Sequence, residues 1–302
     1  MLFSPKTRIV AAYTVCTLVW GTTWFSIRLT IAPGGYPTYE AAALRFTIAV
    51  VVIALCVPGD LLRVKERAGA TLPWLCVAGL INSASYGLLY KAEESVPGSV
   101  AAVIYGALPL LTALAAGATR SERVSAGQIA GGVVALSGIT IIFWDRLHVS
   151  REQAVGVALV AGAVLANAAY LLVYKRKVHS EPSMATTGVF LGATGAGLWC
   201  FSLALGWRGV PWPPPAKPTM ALVYLGIAGS VVTFACYLYL IRHVGVATAS
   251  TLIIAESVVA LGVDRLWERQ GKLELLSYVG AAVALAGSAV SIALRPEETP
   301  PS

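Results

Sequence analysis

One acidic residue lies deep within an apolar stretch of this sequence, where a carboxyl group has few ordinary uses. Glu256 follows Ile254 and Ala255 and precedes Val258, near the middle of segment 246–266. Ionisable groups are costly in such surroundings and are retained mainly where they serve a function. Glu256 is therefore a candidate for taking up and releasing a proton. The alternative is a neutral acid that is hydrogen-bonded to a neighbouring helix and only supports packing.

Aromatic side chains within the apolar stretches form a second group of candidates. Tyr86 and Tyr90 lie one helical turn apart, so they share one face of a helix. Aromatic rings bind apolar groups, and the tyrosine hydroxyl orients a ligand through hydrogen bonds. These residues favour a site for an amphipathic or largely apolar small molecule. Helix packing and anchoring at a membrane surface are the alternative roles for any one of them.

Other charged residues have more ordinary interpretations. Arg45 lies inside the second apolar stretch, where it can pair with Glu40 or with a carboxylate on another helix, and contact with substrate is the alternative. Lys91, Glu93 and Glu94 follow the third apolar stretch, shortly before a Pro-Gly pair. We expect these three residues to form a solvated rim of mutually screened charges, with a substrate gate as the alternative, and Asp264 is interpreted in the same way.

Several chemistries are disfavoured by the sequence. The five cysteines lie singly in apolar stretches, and the three histidines are far apart, so neither a metal site nor a disulfide framework is expected. Patterns such as His-Glu-x-x-His, Gly-x-Ser-x-Gly and the glycine loops of cofactor sites are absent. We therefore expect no enzymatic activity and no cofactor. The net charge of +7 comes from scattered residues without a dense patch, which disfavours nucleic acid as a partner.

The candidate residues sit on segments that are long and apolar enough to cross a membrane. Hydrophobic residues make up 57% and charged residues 12% of the 302 residues, whereas a soluble domain carries about 25% charged residues. Mean hydropathy is +0.74. A crossing helix needs about 20 apolar residues. The sequence therefore predicts an all-α integral membrane protein with ten transmembrane helices at 8–27, 38–57, 72–90, 97–118, 127–144, 154–174, 184–206, 219–241, 246–266 and 274–294.

The sequence also repeats itself at a spacing of about half its length. Residues 131–138 and 280–287 share the pattern Gly-x-x-Val-Ala-Leu-x-Gly, and weaker matches flank them. Each copy holds five predicted helices, an odd number, so the second copy enters the membrane upside down. We predict one five-helix repeat at 1–145, a second, inverted repeat at 153–295 and a disordered tail at 296–302.

Short motifs add a family resemblance over nearly the whole chain. Residues 20–25 read Trp-Gly-Thr-Thr-Trp-Phe, and residues 43–46 read Ala-Leu-Arg-Phe. The longest match runs over residues 92–109 and continues to the Glu-Arg pair at 122–123. These motifs resemble those of the EamA family of the drug/metabolite transporter superfamily. One departure lies in the second half, where Glu256 is followed by serine and the family often has proline.

The resemblance implies a ten-helix carrier with a central cavity between its halves, which alternates in access between the two sides of the membrane. It implies export of a small metabolite, an amino acid or a drug-like amphipathic solute, with protons as a candidate coupling ion at Glu256. A passive channel or facilitator is the alternative, followed by an intramembrane enzyme. We expect an inner (plasma) membrane protein, and the distribution of Lys and Arg between the two sides favours both termini in the cytoplasm. The residues expected to bind solute are Trp20, Thr23, Trp24, Tyr86, Tyr90, Ser99, Tyr105, Asn167, Tyr170, Tyr237 and Thr251.

Overall fold

Helices make up the regular structure of the described residues, and no strand occurs among them. The computed structural model describes residues 4–108, 111, 125–147, 150–178, 183–237, 239–240, 243, 252–267 and 275–294. The predicted site residue Thr251 and the predicted tail at 296–302 therefore lie outside the described residues. The helices are α1 Pro5–Ile31, α2 Thr38–Cys56, α3 Pro58–Leu62, α4 Val64–Ala68, α5 Leu72–Ala92, α6 Gly98–Tyr105, α7 Ala126–Leu147, α8 Arg151–Lys177, α9 Met184–Ala204, α10 Ala216–Gly226, α11 Leu252–Trp267 and α12 Leu275–Ala293.

Serine side chains fix several helix starts, because the first backbone N–H groups of a helix lack partners within it. Ser4 Oγ accepts from the Thr7 amide at 3.2 Å at the start of α1. At α9, Ser183 Oγ accepts from the Thr186 amide at 3.2 Å, while Thr186 Oγ1 accepts from the Ser183 amide at 3.0 Å. This reciprocal pair makes residue 184 the first residue of the helix.

Six helices of the described chain are long and apolar enough to cross a membrane, which makes the protein a multi-pass membrane protein. Large apolar side chains on their outer faces are exposed, as expected for contact with lipid; Leu55, for example, is 76% exposed. The number ten is not confirmed. Predicted helices 97–118, 219–241, 246–266 and 274–294 include residues outside the described ranges. The apolar parts of α7 and α12 are shorter than a span, at Ile129–Ile141 and Tyr278–Ala293. The six spans are Pro5–Ile31, Thr38–Cys56, Gly69–Ala92, Arg151–Tyr174, Met184–Ala204 and Ala216–Tyr237.

Contacts between the two halves of the chain come in matched pairs. The fifth predicted helices of the halves, α7 and α12, pack on each other, as do the second, α2 and α9, and the fourth, α6 and α11. The contact of α5 with α8 has its counterpart in the contact of α10 with α1. Likewise, α1 packs on α11 and α8 packs on α6. This exchange of partners is the pattern expected of two similar units related by a two-fold axis.

The closest of these contacts joins α7 and α12, which run antiparallel. A Cβ atom on Gly131 would lie 2.8 Å from the carbonyl oxygen of Gly287, and one on Gly138 would lie 2.4 Å from that of Gly280. These glycines are the first and last residues of the repeated sequence pattern. The first residue of the pattern in one repeat therefore contacts the last residue of the pattern in the other. Close backbone approach is a main source of helix association in lipid, where no hydrophobic effect drives two helices together.

Candidate functional site

The central aromatic residues come from four different helices. The ring centroid of Trp24, on α1, lies 5.1 Å from that of Tyr105, on α6. The Tyr105 hydroxyl is 3.0 Å from Ser85 Oγ on α5, and Ser85 Oγ donates to the carbonyl of Ala163 on α8 at 2.8 Å. Gly98 permits this arrangement, because a Cβ atom there would lie 2.8 Å from the Cβ of Trp24. The structure thus brings two predicted site residues together at a junction of α1, α5, α6 and α8.

Tyr86 and Tyr90 extend this group along α5, on the face that the sequence predicts. Their ring centroids lie 6.5 Å apart, and Tyr86 meets the ring of Phe46, on α2, edge-on at 4.7 Å. Tyr90 is fully buried, and its hydroxyl lies beside the guanidinium group of Arg45. Arg45 lies over this aromatic surface, with its Cζ atom 5.2 Å from the Tyr86 ring centroid. A cation held over aromatic rings is stabilised without needing a carboxylate in contact.

A π-helical turn at Ile227–Val232 gives Arg45 its hydrogen bonds. Arg45 Nη2 donates to the carbonyl of Gly229 at 3.3 Å, and Arg45 Nε donates to Ser230 Oγ at 3.2 Å. The Gly229 carbonyl also accepts from Trp20 Nε1 at 3.3 Å. A π turn displaces backbone carbonyls from the regular helical ladder, which leaves them available to side chains. The sequence predicts a carboxylate partner for Arg45. Its hydrogen bonds are formed instead with a backbone carbonyl and a serine hydroxyl of the second half.

Tyr237, Glu256 and Trp20 form a second group, nearer to the N-terminal end of α1. The ring centroids of Trp20 and Tyr237 lie 5.3 Å apart. Glu256 is 8% exposed and lies within electrostatic range of Cys16 and Tyr237. No hydrogen bond of its carboxyl group is formed with the residues that the structure describes.

Tyr170, on α8, connects the two groups. Its ring centroid lies 5.3 Å from that of Phe190, and its hydroxyl is within electrostatic range of Tyr86, Tyr105 and Tyr237. Asn167, one turn earlier on the same helix, lies beside the Tyr105 hydroxyl. The predicted tyrosines therefore surround one region between α5, α6, α8 and the segment that follows the π turn.

Two predicted site residues have roles that the sequence did not suggest. The Thr23 hydroxyl donates to the carbonyl of Trp20 in its own helix at 2.6 Å, which leaves a lone pair rather than a proton for any ligand. Ser99, 1% exposed at the start of α6, donates a hydrogen bond to the carboxylate of Asp264 on α11. The Ser99–Asp264 bond joins the two halves of the chain.

The predicted solvated rim is wrong for two of its acidic residues. Glu93 is 1% exposed and Asp264 is 6% exposed. Glu93 interacts electrostatically with Arg28, Arg45 and Asp264, and Arg28 also interacts with Asp264, so these four residues are named the buried charge cluster. The rim interpretation fails because both carboxylates are buried beside charged groups of other helices. Glu94, the next residue, does behave as a rim residue: its exposed carboxylate is 2.5 Å from Lys91 Nζ.

The Glu93 carboxylate makes no hydrogen bond to any residue that the structure describes. Within the same described residues, Trp24 Nε1 and Asn167 Oδ1 also have no hydrogen-bond partner. Buried polar atoms are nearly always hydrogen-bonded, so several unpaired atoms in one region indicate a missing partner. The cluster was missed because sequence position alone places Glu93 at a helix end. The following Pro97-Gly98 pair, which folds the chain back over α5, was the available signal.

Two further features bear on the chemistry. Among the residues that the structure describes, no group of three His, Cys, Asp or Glu side chains could hold a metal ion. An open groove of about 640 Å³ runs along α10, with Met220, Val223 and Ile227 in its lining. Met220 is 74% exposed, so the groove faces outward from the bundle, and its apolar lining suits lipid tails. It is separate from the aromatic and charged residues described above.

Comparison with known proteins identifies the class to which this arrangement belongs. The EamA-like transporter family matches the chain twice, at residues 8–144 and 154–293. A protein of Streptantibioticus cattleyicolor, named as a probable terminal-alkyne amino-acid exporter, is 26% identical over 95% of this chain and 91% of its own length. The inner membrane transporter YedA of Escherichia coli, described as uncharacterized, is 26% identical over 92% of this chain and 89% of its own.

Two other proteins are similar to this chain over most of its length. Protein PagO of Salmonella typhimurium is 24% identical over 86% of this chain and 84% of its own length. A solved structure titled "Crystal structure of protein" covers 97% of this chain and 100% of its own, with a TM-score of 0.64 and 19% identity. At that identity the likeness establishes the fold alone.

Proposed function

Because the chain belongs to the EamA-like transporter family, we propose that it is a secondary transporter that exports its solute by alternating access. Membership makes a small molecule the substrate and a membrane the environment. The proposed solute is a small metabolite, an amino acid or a drug-like amphipathic compound. The named exporter of Streptantibioticus cattleyicolor supports the outward direction, and the inner membrane transporter of Escherichia coli supports an inner membrane location.

The observation that carries this proposal is the matched packing of the two halves. Gly131 lies against Gly287, and Gly138 lies against Gly280. In each pair, the first glycine of the pattern in one repeat contacts the last glycine of the pattern in the other. Two inverted repeats can each adopt the conformation of the other, which gives two states related by a pseudo-two-fold axis in the membrane plane. One state is open to each side of the membrane. We propose ten spanning helices arranged in this way, with repeats at 1–145 and 153–295 and both termini in the cytoplasm. The halves would then rock against each other around a site at their interface.

The proposed solute site is the region enclosed by Trp24, Tyr86, Tyr90, Tyr105 and Tyr170. Its aromatic surfaces suit an amphipathic solute, and its hydroxyl groups supply orientation. The second group around Trp20 and Tyr237, with Asn167 between the two groups, extends the same region. Thr23, Ser99 and Thr251 complete the proposed set.

Glu256 is the proposed coupling residue. Its buried carboxyl group lies beside the aromatic Tyr237 and has no hydrogen-bond partner in the described part of the chain. A group in that position can exchange a proton with whichever side of the membrane is open. Coupling would then drive solute export with a proton gradient.

Counterflow in proteoliposomes tests the proposal. A thermal-shift screen of metabolites and amphiphiles first identifies a ligand, because binding to the folded state raises its apparent stability. Vesicles preloaded with that ligand are then given labelled ligand outside, with protein-free vesicles as the control. A carrier accelerates labelled uptake when the unlabelled ligand is inside, whereas a channel does not. Uptake that is independent of preloading would refute alternating access.

A C-terminal fluorescent fusion tests the proposed orientation separately. A green fluorescent protein that matures only in the cytoplasm is expected to be fluorescent at the C-terminus of this chain. A fusion that is produced in full length but remains dark would place that terminus outside.

A further inference from the structure

Acceptors outnumber donors among the unpaired polar atoms around Tyr105. Both oxygens of Glu93 and the side-chain oxygen of Asn167 receive no donor from the described residues, and Trp24 Nε1 is an unpaired donor. Glu93 lies within electrostatic range of Tyr90 and Tyr105, and Trp24 packs against Tyr105 at 5.1 Å. The region thus presents buried acceptors between aromatic rings. A ligand that supplies several N–H donors and a positive charge would satisfy both features.

The surrounding arginines do not fill this role. Arg45 directs Nε and Nη2 to Ser230 and Gly229 on the second half of the chain. Arg28 lies within electrostatic range of Asp264 as well as Glu93, so its charge is shared between two carboxylates. Both arginines act on Glu93 through space, yet no N–H group of the described residues donates to the Glu93 oxygens.

We propose that Glu93 binds a protonated amine of the transported solute, an inference that rests on the proposed transport function. A protonated amine carries up to three N–H donors, which matches the acceptor oxygens of Glu93. Asn167 and Glu93 both lie within interaction range of Tyr105. With both carboxylates ionised, the buried charge cluster holds two positive and two negative charges. A zwitterionic solute keeps that balance unchanged, so an amine that is accompanied by an acidic group fits best.

The position of Glu93 relates this binding to the transport cycle. Glu93 is 1% exposed and is enclosed where α6 and α11 meet through the Ser99–Asp264 hydrogen bond. Because that bond joins the two halves, separating them at this end uncovers the carboxylate. Solute reaches Glu93 in the open state and is enclosed with it when the halves close.

Matched ligand pairs test the amine assignment with the full-length protein in detergent. The probes are L-phenylalanine, L-leucine and phenethylamine. Each is paired with its N-acetylated form, in which the positively charged ammonium group is replaced by a neutral amide. We expect the amines, and not their N-acetylated forms, to raise the thermal stability of the wild-type protein. Glu93→Gln should weaken amine binding about 10- to 100-fold, the usual range for losing a charge-assisted hydrogen bond.

The adjacent residue provides the matched control. Glu94→Gln removes the same charge one position later, but at an exposed carboxylate that pairs with Lys91, so amine affinity should stay at the wild-type value. Glu93→Asp keeps a carboxylate and should bind amines more weakly while still preferring them to N-acetylated forms. Gel filtration shows whether Glu93→Gln folds. If it does not, the proposal is tested by Glu93→Asp, and amine affinity at the wild-type value in that variant would contradict it.

Three results would overturn the assignment: equal binding of amines and N-acetylated forms, wild-type affinity in Glu93→Gln, or no binding of any amine to the wild-type protein. Counterflow of a solute without an amine would leave the transport function standing while this inference fails. Loss of counterflow for every ligand of the wild-type protein would instead remove the transport function itself.

Discussion

Replacing Gly287 with alanine tests the closest contact between the two halves. A Cβ atom there would lie 2.3 Å from the Ala135 backbone nitrogen and 2.6 Å from the Gly131 carbonyl oxygen. Both atoms belong to the backbone, so no side-chain rotation relieves the overlap. Ordinary contact begins near 3.4 Å, and α7 and α12 must therefore separate by roughly 1 Å, given the close packing of protein interiors. Overpacking of this kind costs about 1–3 kcal/mol.

Gly262→Ala is the control for this substitution. Gly262 also lies in a helix, but a Cβ atom there meets nothing within 4 Å. Both substitutions change helix propensity by a similar amount, about 1 kcal/mol in favour of alanine. The difference between the two variants therefore isolates the steric cost at the contact between the repeats.

The assay is unfolding of the purified protein in mixed micelles with increasing sodium dodecyl sulfate, followed by circular dichroism. Gly287→Ala should unfold with a free energy about 1–3 kcal/mol lower than that of Gly262→Ala. Equal stability of the two variants would show that α7 and α12 do not touch at Gly287. The matched packing of the repeats, and with it the main support for two inverted units, would then be lost.

Three other outcomes are expected. Glu256→Gln should abolish uphill, proton-driven flux in proteoliposomes and spare counterflow, because a neutral amide binds no exchangeable proton; normal uphill transport by this variant would remove Glu256 from the coupling step. Ser99→Ala should lower the free energy of unfolding by about 1–3 kcal/mol, because the buried Asp264 loses the serine donor. Its control, Ser137→Ala at an exposed intrahelical bond, should change that free energy by less than about 0.5 kcal/mol. Equal effects of the two substitutions would contradict the buried bond. Tyr90→Ala should weaken ligand affinity in the thermal-shift assay more than it lowers protein abundance, and an unchanged affinity would make Tyr90 a packing residue.

The apolar stretches could be predicted because hydropathy is a local property of the chain. The lengths of α1, α2, α5, α8 and α9 follow from runs of apolar residues between Pro, Gly and charged residues, and all five lie in spans that are long enough to cross a membrane. The pairing of Tyr86 with Tyr90 follows equally from the periodicity of one helix. The full count of ten remains a prediction.

The charged residues show where local information ends. Glu93 and Glu94 are adjacent and chemically alike, yet one is buried without a hydrogen bond and the other is paired at the surface. Their difference depends on which helices cover the end of α5, and those helices come from distant parts of the sequence. Arg45 is a similar case, because its partners Gly229 and Ser230 become available only through the π turn of the second half.

The sequence by itself determined that this chain is a helical membrane protein of two related halves, resembling the EamA family. Apolar runs, the repeated glycine pattern and the short motifs are each defined by residues that lie close together in the sequence. The tertiary structure alone decided which polar groups meet: Ser99 with Asp264, and Glu93 with the aromatic residues around Tyr105. These contacts join helices far apart in the chain, and their energies depend on burial and distance, neither of which any single segment specifies.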